Sequence, residues 1–210
     1  GRNGAGKSTL LAALAGDVDP AGGTVLVGGV PLRSIHVREM ARRRAVQVQE
    51  STLSFSFTSI EVVDMGRAPW QGTDAEDEDE IVVADSLERA DVTHLAHRRF
   101  PTLSGGEKAR VSFARVLAQR TEILLLDEPT AALDVRHQEA LLIEAAILAE
   151  SGHAVVVVLH DLSLAGAYAD RVVLLAQGQV RADGSAREVL TSELLTEVYK
   201  LPPERLLATV

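Results

Sequence analysis

The stretch LSGGEKARVSFARVLAQRTEILLLDE, residues 103–128, holds three successive pieces of local structure in its residue order. Ser104-Gly105-Gly106-Glu107 has the S-x-x-E spacing of a capping box, in which a hydroxyl and a carboxylate satisfy orphan N–H groups at a helix start. A helix is expected from near Glu107 to Ala118. The apolar run Ile123-Leu124-Leu125-Leu126 follows and ends in Asp127 and Glu128. An apolar run bounded by helices reads as a strand covered on both faces, hence as part of a largely parallel sheet. Such a strand delivers Asp127 to the end of the sheet, where a carboxylate can hold a divalent cation, often through water. Glu128 is next along the chain and faces the other way.

Upstream, Gly1-Arg2-Asn3-Gly4-Ala5-Gly6-Lys7-Ser8 fits G-x-x-x-x-G-K-[ST], the Walker A phosphate-binding pattern. Gly4 and Gly6 permit backbone angles that a Cβ would forbid. Successive N–H groups then turn into one concavity suited to phosphate oxygens. Lys7 brings a point charge toward β- and γ-phosphates, and Ser8 brings a hydroxyl toward Mg²⁺. Thr9 to Ala15 reads as a helix stopped at Gly16, with its positive end beneath the phosphates. Beside such a loop, Ile123–Glu128 takes the Walker B form. Asp127 is then the Mg²⁺ ligand, and Glu128 is placed to accept a proton from attacking water. A loop of this kind normally follows a buried strand. None precedes Gly1, so the chain reads as one whose N-terminal strands are missing.

Between these motifs, Thr24–Val27 and Gly28–Leu32 read as a strand, a turn and a return, and Ala45–Gln49 as a strand. Residues 50–102 change texture: short helical patterns, a Pro-Trp-Gln-Gly break at Pro69–Gly72, and the acidic run Asp74–Glu80. That run suits the positive end of a solvated helix. After Gly105, helix and strand alternate again: a helix near Arg136–Glu150, a strand Ala154–Leu159, a helix near Leu162–Ala169 and a strand Arg171–Leu175. "QGQVRADG" reads as a hairpin, and two short helices close the chain. The expected fold is α/β, a P-loop NTPase core over residues 1–49 and 103–210 with a mostly parallel sheet. A helical subdomain is inserted at 50–102.

Composition narrows the function. The chain has 210 residues, 46% hydrophobic and 24% charged, so it can bury a substantial core; aromatics are only 3%, so that core must rest on aliphatic side chains. A formal charge of −9 argues against a broad nucleic-acid-binding face but leaves room for one basic nucleotide pocket. The absence of cysteine excludes disulfides and thiolate metal sites and fits the cytosol. No apolar run approaches the roughly 18 residues of a spanning helix.

Leu103–Glu107, one helix ahead of a Walker B strand, resembles the signature sequence of the ATP-binding-cassette (ABC) family. The resemblance covers essentially the whole chain. Gln49 matches the Q-loop glutamine, Ala131-Ala132-Leu133-Asp134 the D-loop, and His160 in "VVVVLHDL" the switch histidine. The other histidines have no motif support. The family resemblance implies an ATP·Mg²⁺ sandwich between two head-to-tail subunits. Gly1, Asn3, Gly4, Ala5, Gly6, Lys7, Ser8 and Thr9 of one subunit would hold the nucleotide, with Ser104, Gly105, Gly106 and Asp134 of the other closing on it. Ser8, Gln49 and Asp127 would hold Mg²⁺, and Glu128, His160 and Gln49 would be catalytic.

One cassette, a lobe of modest length and no coiled coil select a transport ATPase over translation-type or chromosome-maintenance members. The resemblance implies a peripheral subunit on the cytoplasmic face of the membrane. It would dock through its helical lobe on an integral-membrane permease and serve a substrate-binding protein indirectly. "RAVQVQESTLSFSFTSIEVVDMGRAPW" resembles the ATPases of iron-siderophore, cobalamin and hemin importers. "ADVTHLAHRRFPTLSGGE" and "HDLSLAGAYADRVVLLAQGQV" look closest to the hemin branch. Within the lobe, Glu50–Trp70 is the expected docking surface. Phe55, Phe57 and Trp70 would be its contacts if exposed, with Ser54 and Arg67 as places to attach a cross-linker.

Overall fold

A computed structural model of the chain describes residues 1, 3–48 and 56–200. Gln49, Ser54 and Phe55 lie outside the described residues. By its internal contacts the chain divides into two compact units, one formed by Gly1–Asp19 with the chain from Val158 onward, the other by Pro20–Val157.

In the second unit, β1 (Leu26–Val27) and β2 (Val30–Pro31) form a short antiparallel pair. Val27 and Leu32 pack with Met40 of α2 (Val37–Arg43), against the half-buried Val25, Ile35 and Ile123. Next, β3 (Arg44–Gln47) runs parallel to β4 (Ile123–Asp127), Arg44 opposite Ile123 and Gln47 opposite Leu126. β5 (Ala154–Val158) completes a sheet of order β3-β4-β5. Leu124, Leu125 and Leu126 are all buried, as a central strand covered on both faces requires.

The stretch from Thr58 to Phe100 is helical in short pieces: α3 (Ser59–Asp64), 3-10 turns at Met65–Trp70 and Asp74–Glu78, and α4 (Asp79–Arg89). α3 starts at a capping box formed by Thr58 and Glu61. Both α3 and α4 pack on α5 (Gly105–Ala118), which buries Val111, Phe113, Ala114, Val116 and Leu117. The acidic run does more than begin a helix in solvent. Glu76 accepts a hydrogen bond from Gly72 N, and Asp79 pairs with Arg67, which is 2% exposed. Arg67 is therefore no attachment point on a surface. Trp70 is held from several sides: Nε1 donates to Gln119 O at 2.8 Å, and the guanidinium carbons of Arg42 and Arg67 lie 5.6 and 5.5 Å from its ring centroid. This is cation–π packing, which ties the half-buried Trp70 to its own unit. α6 (Val135–Glu150) follows the D-loop and buries Leu141, Leu142, Ala145 and Leu148.

The first unit contains the glycine loop and α1 (Lys7–Ala15), α7 (Leu162–Tyr168), the antiparallel hairpin β6 (Val172–Ala176) and β7 (Gln179–Gly184), α8 (Ala186–Val189) and α9 (Ser192–Tyr199). Its core joins Leu174, Val189 and Val198 with Val172, Ala176, Ala182, Leu194 and Tyr199. Ser185 and Glu188 form a capping box on α8, and Thr191 caps α9. Among the described residues no helix is long and apolar enough to cross a membrane.

Candidate nucleotide-binding site

The glycine loop is shaped by positive backbone angles, φ 75° at Gly4 and 95° at Gly6. Only glycine adopts these without strain. Ala5 between them is buried, and its carbonyl accepts a hydrogen bond from Gly178 N at 3.1 Å, so the loop is braced by the β6–β7 turn. Gly1 lies close to β6: a Cβ there would come 2.0 Å from Leu175 O. The Lys7 ammonium donates to Gly1 O at 3.1 Å, spanning the loop. Helix α1 starts at Lys7 with no side-chain cap and no acidic residue in its first turn, which leaves its positive end to an incoming anion. Asn3, Ser8 and Thr9 are exposed at this end. In the same unit, exposed His160 immediately precedes Asp161, whose Oδ1 accepts from Ser163 N (2.8 Å) and Leu164 N (3.3 Å) and so caps α7.

The second unit carries the acids. Asp127, the last residue of β4, is buried, and its Oδ1 has no hydrogen-bond partner among the described residues. A buried oxygen of this kind is costly unless something binds it. A divalent cation or its bound water would satisfy it, so Asp127 fits the Mg²⁺ that the sequence implies. At Glu128 the chain turns with φ 50°, an angle uncommon for a residue with a Cβ. Sequence spacing gave no sign of this turn. Glu128 is half-buried, and its carbonyl accepts from Ala131 N.

The signature segment forms the anticipated capping box. Ser104 Oγ accepts from Glu107 N at 3.3 Å, and Glu107 Oε2 accepts from Ser104 N at 2.7 Å. Arg98 Nη1 donates to Glu107 Oε1 at 2.8 Å, a partner that the spacing did not reveal. The Ser104 N–H, then the Ser104 hydroxyl, with Arg98 adding to them, hold the Glu107 carboxyl below its ordinary range. The folded state thus favours the ionised form. The cap's contribution is present above the unfolded pKa of about 4.3 and is lost as pH falls through the lower folded value. Glu107→Gln should unfold at lower urea than wild type near neutral pH, and the gap should close on acidification to about pH 3. Urea midpoints at the two pH values check this, and a constant gap contradicts it.

The D-loop, 131–134, lies against the signature helix. A Cβ on Gly106 would sit 3.0 Å from Ala132 O, and one on Gly105 would sit 3.5 Å from Ala132 Cβ. Gly106 is thus required by close backbone approach and not by its own angles. Gly106→Ala should push the D-loop by a few tenths of an ångström and lower ATP turnover several-fold, since reacting groups tolerate little misplacement. Steady-state phosphate release checks it, and a wild-type rate would show that the loop accommodates the methyl. Asp134 caps α6, accepting from His137 N at 3.0 Å. That N–H and the His137 ring hold its carboxyl below its usual range.

The loop residues Gly1 and Asn3–Thr9 and His160 thus belong to one unit. Asp127, Glu128, Ser104, Gly105, Gly106 and Asp134 belong to the other. A glycine loop feeding a helix, with an acid-tipped parallel strand, defines a P-loop nucleotide-binding protein. The family model described as "ABC transporter" matches residues 1–131, more than half of the chain. The hemin import ATP-binding protein HmuV of Nocardia farcinica is 62% identical over 204 residues, which is 97% of this chain and 71% of the relative. A metal-chelate type ABC transporter in an inward-facing conformation superposes with a TM-score of 0.81 at 31% identity, over 96% of this chain and 76% of that one. An ATP-binding cassette solved as a dimer with ADP and phosphate gives 0.79 at 27% identity, over 89% and 83%. The chain belongs to the ABC transporter family, as one of its ATPase cassettes.

Proposed function

We propose that this cassette hydrolyses ATP to drive hemin import, paired head-to-tail with a second copy beneath a membrane permease. The observation that carries the substrate is the 62% identity to a relative named for hemin import. The related cassette solved as a dimer supports the pairing. The domain division proposed is a core of residues 1–49 and 103–210 with a helical lobe at 50–102 facing the permease at the cytoplasmic side of the membrane.

In this reading the N–H groups of Gly1 and of Asn3 to Thr9 and the Lys7 ammonium bind the phosphates. Ser8, Asp127 and Gln49 hold Mg²⁺, which when bound neutralises developing phosphate charge. Glu128 takes the proton of the attacking water, and His160 keeps that water and Glu128 aligned toward the γ-phosphate. Ser104, Gly105 and Gly106 of the second copy close over the nucleotide, with the α5 dipole favouring the anion. Asp134 reports the state of one site to the other. Transfer of a phosphoryl group needs mainly positioning and charge compensation, and these groups offer both.

The test is transport. The full-length cassette and its permease are reconstituted in proteoliposomes and offered hemin, a ferric siderophore or cobalamin through the cognate binding protein. ATP-dependent uptake of hemin, and little of the other two, is expected. Uptake of a siderophore or cobalamin in preference to hemin would move the cassette to another importer branch.

A further inference from the structure

The D-loop is gripped from the first turn of α6 by two adjacent side chains that no motif singles out. Gln138 Nε2 donates to Thr130 O at 3.1 Å and to Leu133 O at 3.0 Å, the carbonyls that bracket Ala131 and Ala132. Thr130 O also accepts from Leu133 N at 3.1 Å, so the tight turn is closed by the backbone and locked by the amide. His137 holds the far end: its N–H and its ring Nδ1 lie 3.0 and 2.8 Å from Asp134 Oδ1. The middle of the loop, Ala132 O, rests on the signature backbone at Gly106. A second tie joins the same helices, since Arg110 of α5 and Arg136 and His137 of α6 all reach Asp91. Exposed pairs of this kind contribute little each. The Gln138 amide is different: it is half-buried, with both of its donors engaged on main-chain carbonyls.

We propose that Gln138 is a positioning residue for hydrolysis in trans: it locks the D-loop to the start of α6, so that Ala132 stays against Gly106 and one rigid edge is presented to the other copy's nucleotide. This rests on the head-to-tail pairing proposed above. Gln138 touches no reacting atom. Its work is to keep Ala131–Asp134 from shifting when Ser104–Gly106 closes, and a shift approaching an ångström costs rate and leaves nucleotide binding by the P-loop copy alone.

Gln138→Met keeps the length of the side chain and removes both donors. In the assembled full-length transporter, kcat should fall about tenfold, with KM for ATP within about twofold of wild type. Mixed pairs built from two differently tagged copies then locate the defect, read by single-turnover phosphate release. With Glu128→Gln and Gln138→Met on the same copy, the one intact Glu128 faces the altered D-loop. The rate should fall about tenfold below that of the pair carrying Glu128→Gln alone. With the two changes on opposite copies, the intact Glu128 faces an intact D-loop, and the rate should match that reference pair. Equal rates in the two arrangements overturn the proposal, because a change that merely loosened the fold would depress both. An unchanged kcat in the Gln138→Met pair overturns it as well. If instead both copies carry Glu128→Gln and still turn over at the wild-type rate, it is the assignment of Glu128 that fails, and the mixed-pair logic falls with it.

Discussion

Glu128→Gln should lower the kcat for ATP by roughly a hundredfold or more, the range lost when a general base is removed, while Mg·ATP still binds. The two side chains have nearly the same shape, so the turn at φ 50° is kept and the loss is chemical. The amide cannot take a proton from water, whereas the Lys7 loop and the α1 dipole proposed to bind phosphate are untouched. The measurement is phosphate release at saturating ATP, with nucleotide affinity from calorimetric titration of the full-length cassette. A wild-type rate would remove Glu128 from the reaction. Loss of affinity with kcat intact would assign it to ground-state binding.

Arg67→Ala should destabilise the unit Pro20–Val157 by about 3 kcal/mol. The buried guanidinium donates to Asp79 Oδ1 at 2.6 Å, Ala118 O at 3.0 Å and Ala75 O at 2.9 Å, and it covers one side of the Trp70 ring. Truncation strands two carbonyls and one carboxylate, the last partly open to water, which keeps the loss at the lower end of the buried-pair range. Arg67→Lys retains the charge but cannot reach three acceptors in three directions, so it should fall between wild type and Ala. Urea unfolding checks both: midpoints should drop with unchanged slopes. A loss below about 1 kcal/mol for Ala would mean that water replaces these bonds without penalty.

The parts of the site that were legible in the residue order are those built from neighbours. Ser104 and Glu107 are three apart and close on each other around one helix start. Gly4 and Gly6 stand where the phosphate loop turns through positive angles. The apolar run of β4 ends in the acid that its buried strand carries to the sheet end. The surroundings of Trp70 and Arg67 were not legible in the residue order. Trp70 and Arg67 look like surface residues beside a Pro-Gly break, yet both are engaged with Ala118 and Gln119, residues half a hundred positions away.

The sequence by itself determined the class of protein and the cap formed by Ser104 and Glu107, because capping, glycine turns and strand burial are decided over a few successive residues. Only the tertiary structure decided that Gly106 is glycine for the sake of Ala132 O, that Glu128 sits in a left-handed turn, and that Gln138 closes the D-loop. It also decided that Asp127 ends in a buried oxygen with no hydrogen-bond partner among the described residues. The approach of Ala132 to Gly106 depends on what a distant segment places within a few ångströms, and residue spacing carries no record of that until the helices and strands have packed.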